Sequence, residues 1–184
     1  GDARTFTYAA GALLWMLAEV RPAGFRAAAA QAALGLSHGQ RPDGGWSYTL
    51  PRVRVEGAYA TVGPDAPTAE PSDVSNAQLA VLGLLAAERL DAWSGVAPWS
   101  RLRDGVARGA RRDGAFGYRG DEAAPDVFRA GRRVTTAIAA GNLVVALRRT
   151  GVSQADALRD PTVRRALAWL ERHPVVDGAT GRWA

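Results

Sequence analysis

Apolar residues are spread along this chain in two different ways. From Asp73 to Leu90 they occupy nearly every side of a helix, with Val74, Leu79, Val81, Leu82, Leu84 and Leu85 distributed round the helical turn, and Val134 to Leu147 behaves likewise. Arg101 to Ala110 and Pro161 to His173 are one-sided, with Leu102 and Val106, or Val163, Leu167 and Leu170, opposed by arginines and acids. The pattern predicts buried helices over 6–19, 73–90 and 134–149, exposed helices over 25–38, 98–110 and 161–173, and turns with longer loops over 39–72, 111–133 and 174–184. Local punctuation agrees with this division. Ser72 or Asp73 can cap the second buried helix, Asp160-Pro161 is a cap followed by proline in the first turn, and Thr150-Gly151 ends a helix. The stretch from Ser47 to Ser72 carries Pro51, Pro64, Pro67 and Pro71 and is long for a connection. It reads either as a cover for a pocket or as an insertion between repeats.

Sliding the chain against itself reveals a repeat at an offset of 70 residues. Gly35 to Tyr48 matches Gly105 to Tyr118, with six identical positions and an aromatic ring at both Trp46 and Phe116. A fainter third copy follows Trp169, where Asp177-Gly178 and Gly181-Arg182-Trp183 repeat the acid, glycine and aromatic elements. Each turn follows an exposed helix, so the order is buried helix, exposed helix, turn, repeated.

Composition narrows the chemistry. The chain has 184 residues, 47% hydrophobic and 22% charged, which suits one globular domain. Thirty-eight alanines against the single Ile138 favour close-packed helices over sheets, so the expected class is all-α. Cysteine and lysine are both absent, all 23 basic residues being arginine, which excludes disulfides, thiolate zinc sites, cysteine nucleophiles, Schiff-base lysines and lysine-bearing phosphate loops. The formal charge is +5, but the doublets Arg111-Arg112, Arg132-Arg133, Arg148-Arg149 and Arg164-Arg165 are scattered and interrupted by acids, so no nucleic-acid partner is expected. The apolar run from Tyr8 to Leu17 meets Glu19 and Arg21 before reaching the length of about 18 residues that a bilayer span requires. No transmembrane segment is expected, and nothing marks a cellular compartment.

Gln40-Arg41-Pro42-Asp43-Gly44-Gly45-Trp46 resembles the glutamine-tryptophan motif of the squalene-hopene cyclase and prenyltransferase β-subunit superfamily. Asp73 to Leu84 is also similar to a segment of bacterial prenyltransferase or squalene-oxidase repeat proteins. The resemblance covers roughly residues 6 to 184 and implies an α/α toroid, in which helix hairpins form inner and outer rings and the motif staples the turn after each outer helix. Three hairpins would make about half a ring, so a single domain over 1–184 is expected to be an incomplete ring, a fragment, or one that needs a partner or further sequence to close.

The resemblance also points to candidate sites. In squalene-hopene cyclases the segment similar to Asp73-Val74-Ser75-Asn76 reads Asp-x-Asp-Asp, and its middle acid protonates an alkene. Ser75 and Asn76 stand where the second and third acids would be, and neither is acidic enough for that step. Asp73 is therefore the one candidate catalytic residue, with helix capping as its structural use. The zinc of protein prenyltransferases needs a cysteine and a histidine. With only His38 and His173, both at helix ends, no metal site is expected, nor any other cofactor. A macroglobulin-like thioester would likewise need a cysteine.

Asp43 and Asp113 could be proposed as a carboxylate pair for glycoside hydrolysis. Their equivalent places in successive repeats assign them instead to the turns, along with Gln40, Gly44, Trp46, Gly114 and Phe116. Phe6, Tyr8, Trp15, Trp93, Trp99 and Trp169 are candidates for core packing or for lining an isoprenoid cavity, with Tyr8 and Trp15, beside Ser75 and Asn76, the first choices for a cavity. Arg132 and Arg133 could hold a diphosphate by paired hydrogen bonds. The function expected is a binding or scaffold module for an apolar ligand or a protein segment. The alternative is an isoprenoid-processing enzyme, terpene cyclase or prenyltransferase-like, whose catalytic acids lie outside this chain.

Overall fold

A computed structural model describes residues 5–56, 59–63, 72–118 and 129–173. The third turn, with Asp177, Gly178 and Trp183, lies outside them. Among the described residues the chain is mostly helical, as the alanine-rich composition requires: α1 is Thr7–Val20, α2 Phe25–His38, α3 Val74–Arg89, α4 Ala97–Gly109, α5 Arg129–Arg149, α6 Gln154–Arg159 and α7 Pro161–Arg172. The predicted helices are thus found within a residue or two, except that α5 begins five residues earlier than its apolar pattern. The chain divides into two compact units, Gly1–Pro98 and Trp99–Ala184.

In the first unit α1, α2 and α3 pack on one another. Their core is built from Ala10, Leu14 and Leu17 of α1, Ala29, Ala33 and Leu36 of α2, and Ala80, Val81 and Leu84 of α3. Small residues let the backbones approach. Gly11 lies directly against the Leu79 carbonyl, and a Cβ on Gly83 would sit 2.8 Å from the Gly11 Cα. A side chain at either glycine would force the helices apart.

Two expectations need correction here. First, α1 is not buried all round: Tyr8, Trp15, Met16 and Val20 are 40%, 53%, 50% and 67% exposed. Second, the segment after the first turn, expected as turn and loop, carries short strands, while the fold stays mostly helical, consistent with the all-α class. Two-residue strands β1 (Thr5–Phe6) and β2 (Thr49–Leu50) pair antiparallel, and β3 (Val53–Glu56) pairs antiparallel with β4 (Tyr59–Val62). Strand β3 packs on α2, where Gln31 Nε2 donates to the Val53 carbonyl at 2.7 Å.

In the second unit α5, α6 and α7 pack together. One cluster joins Phe116 to Ala139, Ala140 and Ala166, with Val106 and Ala110 of α4 and the turn after it packed against them. A second joins Leu143, Leu147, Ala157 and Val163. Asp160 caps α7 as expected, its Oδ1 accepting from the Thr162 and Val163 amides at 2.8 and 3.2 Å, with Pro161 in the first turn. The short α6, capped by Ser153, has no counterpart in the sequence reading.

Candidate functional site

The repeated turns come first, because they hold most of the residues singled out by the sequence. In the first turn the Arg41 amide donates to the Gly45 carbonyl at 2.9 Å and the Gly44 amide to the Arg41 carbonyl at 2.9 Å. In the second, Arg111 donates to Ala115 and Gly114 to Arg111, both at 3.0 Å. Asp43 Oδ1 accepts from the Gly45 amide at 2.9 Å, as Asp113 Oδ1 does from Ala115 at 3.0 Å. Gly44 and Gly114 take φ of +92° and +96°, a left-handed conformation that a side chain would strain. The sequence repeat is therefore a repeat of hydrogen bonds. Asp43 also accepts from the Ser72 hydroxyl, which leaves its carboxylate committed to the turn.

Side chains then tie each turn to its surroundings. Trp46 is fully buried and its Nε1 donates to the Leu36 carbonyl near the end of α2 at 2.7 Å. Gln40 Nε2 donates to the Gly44 carbonyl and to the Pro98 carbonyl, both at 2.9 Å. In the second turn Ala110 replaces the glutamine and Phe116 the tryptophan. There α5 supplies the staple: Thr135 Oγ1 donates to the Phe116 carbonyl at 2.9 Å and the Phe116 amide donates to Thr136 Oγ1 at 3.0 Å.

Asp73 lies at the start of α3, buried, and its own amide donates to the Trp46 carbonyl at 3.1 Å. Its carboxylate accepts three hydrogen bonds: Oδ1 from the Asn76 amide at 2.8 Å and from Ser75 Oγ at 2.6 Å, and Oδ2 from Asn76 Nδ2 at 2.7 Å. Asp73, Ser75 and Asn76 are thus brought together by the helix cap, which satisfies a free amide of the first helical turn. Thr7 at the start of α1 joins the same region, donating through Oγ1 to the Ser47 carbonyl at 2.6 Å. Three buried polar atoms here, Ser47 Oγ, Thr49 Oγ1 and Asn76 Oδ1, have no hydrogen-bond partner among the described residues, which sequence reasoning did not anticipate.

The aromatic candidates separate into two groups. Trp99 and Trp169 are buried and Trp93 half-buried, whereas Phe6, Tyr8 and Trp15 are exposed. Tyr8 stacks on Tyr48, ring centroids 6.1 Å apart and nearly parallel. Tyr8, Ala12 and Trp15 follow one another at helical spacing along α1, so the aromatic positions form a single exposed strip.

On another side of α1 lies an open cleft of about 280 Å³, lined by Ala9, Ala10 and Leu13 of α1, by Ala28, Gln31, Ala32 and Gly35 of α2, and by Pro51 and Val53. Among the described residues none that lines it is charged. Tyr8 and Trp15 do not reach it, and neither do Asp73, Ser75 or Asn76.

His38 ends α2 and His173 caps the C-terminus of α7, where its ring stacks on Trp169 at 4.2 Å. Among the described residues no three histidines or acids converge as metal ligands, and no helix is long and apolar enough to cross a membrane. Arg132 and Arg133 are both half-buried in the second turn of α5. No protein-family model matches this chain, and neither a curated protein nor a solved structure is significantly similar to it.

Proposed function

We propose that this chain is a helical-repeat binding module, part of an α/α toroid of the squalene-hopene cyclase and prenyltransferase β-subunit type, that holds an apolar ligand or protein segment and does not itself catalyse. The observation that carries this reading is the exposed aromatic strip of α1, where Tyr8, stacked on Tyr48, and Trp15 offer apolar faces to solvent. Flat rings of this kind stack on the apolar faces of isoprenoids and of peptide side chains at low entropic cost. The toroid reading is supported by the staples: Gln40 and Trp46 bind backbone carbonyls across the turn, the task that the motif they resemble performs. The non-catalytic reading is supported by Asp73, whose two oxygens are occupied by three donors of the cap. Three of the roughly four acceptor sites of the carboxylate are thereby taken up within its own helix cap.

The test is a titration of the purified chain with farnesol, followed by tryptophan fluorescence and calorimetry, on the wild type, Trp15→Ala and Asp73→Asn. Saturable binding that weakens at least tenfold in Trp15→Ala and persists in Asp73→Asn supports the module. No binding by the wild type overturns it. Turnover of a prenyl diphosphate that vanishes in Asp73→Asn while the helical circular dichroism remains would establish the enzyme alternative instead.

A further inference from the structure

The segment that leaves the first turn is stitched between the starts of two helices. Its Trp46 carbonyl accepts from the Asp73 amide at the start of α3, at 3.1 Å. Its Ser47 and Tyr48 carbonyls accept from the Thr7 side chain and amide at the start of α1, at 2.6 and 2.9 Å, and Thr49 pairs with Phe6. The side chains gathered here are polar and shut away from solvent: Thr7 and Asn76 are 0% exposed, Ser47 1% and Thr49 6%. Thr7 and Asp73 have partners, whereas Ser47 Oγ, Thr49 Oγ1 and Asn76 Oδ1 have none among the described residues. Buried polar atoms of native proteins are satisfied by the protein or by ordered water, because an unmade hydrogen bond costs the full desolvation of the group. Asn76 narrows what the partner must be. Its Nδ2 donates to Asp73 Oδ2 at 2.7 Å, and because a carboxylate only accepts, the amide cannot be turned round to exchange its two ends.

The occupant must therefore donate to Asn76 Oδ1 and be able to accept from the Ser47 and Thr49 hydroxyls. Water does both. An anion would face the Asp73 carboxylate and the Asn76 oxygen, and a cation would find that carboxylate already bound by three donors. Atoms covered on every side admit no organic ligand unless the unit opens. Helix α1 adds a demand of its own: Phe6 stands at its cap position and supplies no side-chain acceptor, unlike Asp73 for α3. The second turn shows the contrast. Gly117 stands where Ser47 does, and the Thr135 and Thr136 hydroxyls bond directly to the Phe116 backbone, so that repeat closes without an intermediary.

We propose that Ser47 Oγ, Thr49 Oγ1 and Asn76 Oδ1 form an internal water site, in which ordered water donates to Asn76 Oδ1, accepts from the two hydroxyls and joins the first turn to the starts of α1 and α3. The site does not depend on the ligand-binding reading, which rests on the exposed rings of Tyr8 and Trp15. Two measurements test it. A crystal structure of the protein at a resolution that shows ordered water is expected to place water within hydrogen-bond distance of all three atoms. Urea unfolding of Ser47→Ala and Thr49→Val then reads the sign of each hydroxyl's contribution. A hydroxyl bonded to water supports the fold, so each variant is expected to raise the unfolding equilibrium constant about fivefold. A hydroxyl with no partner burdens the fold, and its removal would lower that constant. A side chain of this chain, an ion or empty space at these atoms in the crystal overturns the proposal. So does a Ser47→Ala or Thr49→Val protein at least as stable as the wild type.

Discussion

The two repeated turns share a skeleton and differ in how they are fastened. Both use a carboxylate two residues before the amide it accepts from, and a glycine with positive φ between them. The first adds the indole N–H of Trp46 and the amide of Gln40. The second has neither, and its backbone is gripped by the hydroxyls of Thr135 and Thr136. The shape of the turn therefore depends on Asp and Gly, whereas the fastening can come from within the motif or from the helix that follows. Buried polar backbone groups must find partners, but nothing fixes which side chain supplies them.

Removing the rings should have the largest effect. Trp46→Ala and Phe116→Ala each empty a buried site, and each is expected to cost about 3–5 kcal/mol by urea unfolding. A much smaller loss for Phe116→Ala would mean that the threonine staple, and not the ring, holds the second turn. Next comes Gly114→Ala, for which backbone strain alone costs about 1–3 kcal/mol. The new methyl would in addition press on the Arg165 carbonyl, so the loss should lie at or above the top of that range.

Trp46→Phe, which makes the first ring like the second, keeps the packing but orphans the Leu36 carbonyl, a loss of about 1–3 kcal/mol. No change in the denaturation midpoint would show that water replaces the indole. Smallest is Gln40→Ala, with about 1 kcal/mol expected from its hydrogen bonds. The reciprocal Ala110→Gln should gain nothing measurable, because Phe116 is already fastened by α5.

Much of this fold was legible in the sequence. Helix boundaries followed from apolar spacing, Asp73 and Asp160 were recognised as caps, and the Asp-Gly turns were placed by the repeat. Three features were not read. The β3–β4 pair carries its own signal, since Val53-Arg54-Val55-Glu56 alternates with a period of two and Tyr59, Thr61 and Val62, after Gly57, are strand formers. Proline content and loop length drew attention away from it. Helix α6 is too short for its periodicity to stand out, and only Ser153 with Asp156 marks its start. The exposure of one side of α1 could not be deduced from α1 itself, whose residues read as interior ones. It depends on which helices pack around it, and that is a tertiary fact.

The glycine contact between α1 and α3 has one further consequence. Where Gly11 meets Leu79 and Gly83, main chain touches main chain, and there is no rotamer that could change to absorb a displacement. At this crossing a push on the outer side of α1 meets the backbone of α3 at Leu79 and not a side chain that could turn aside.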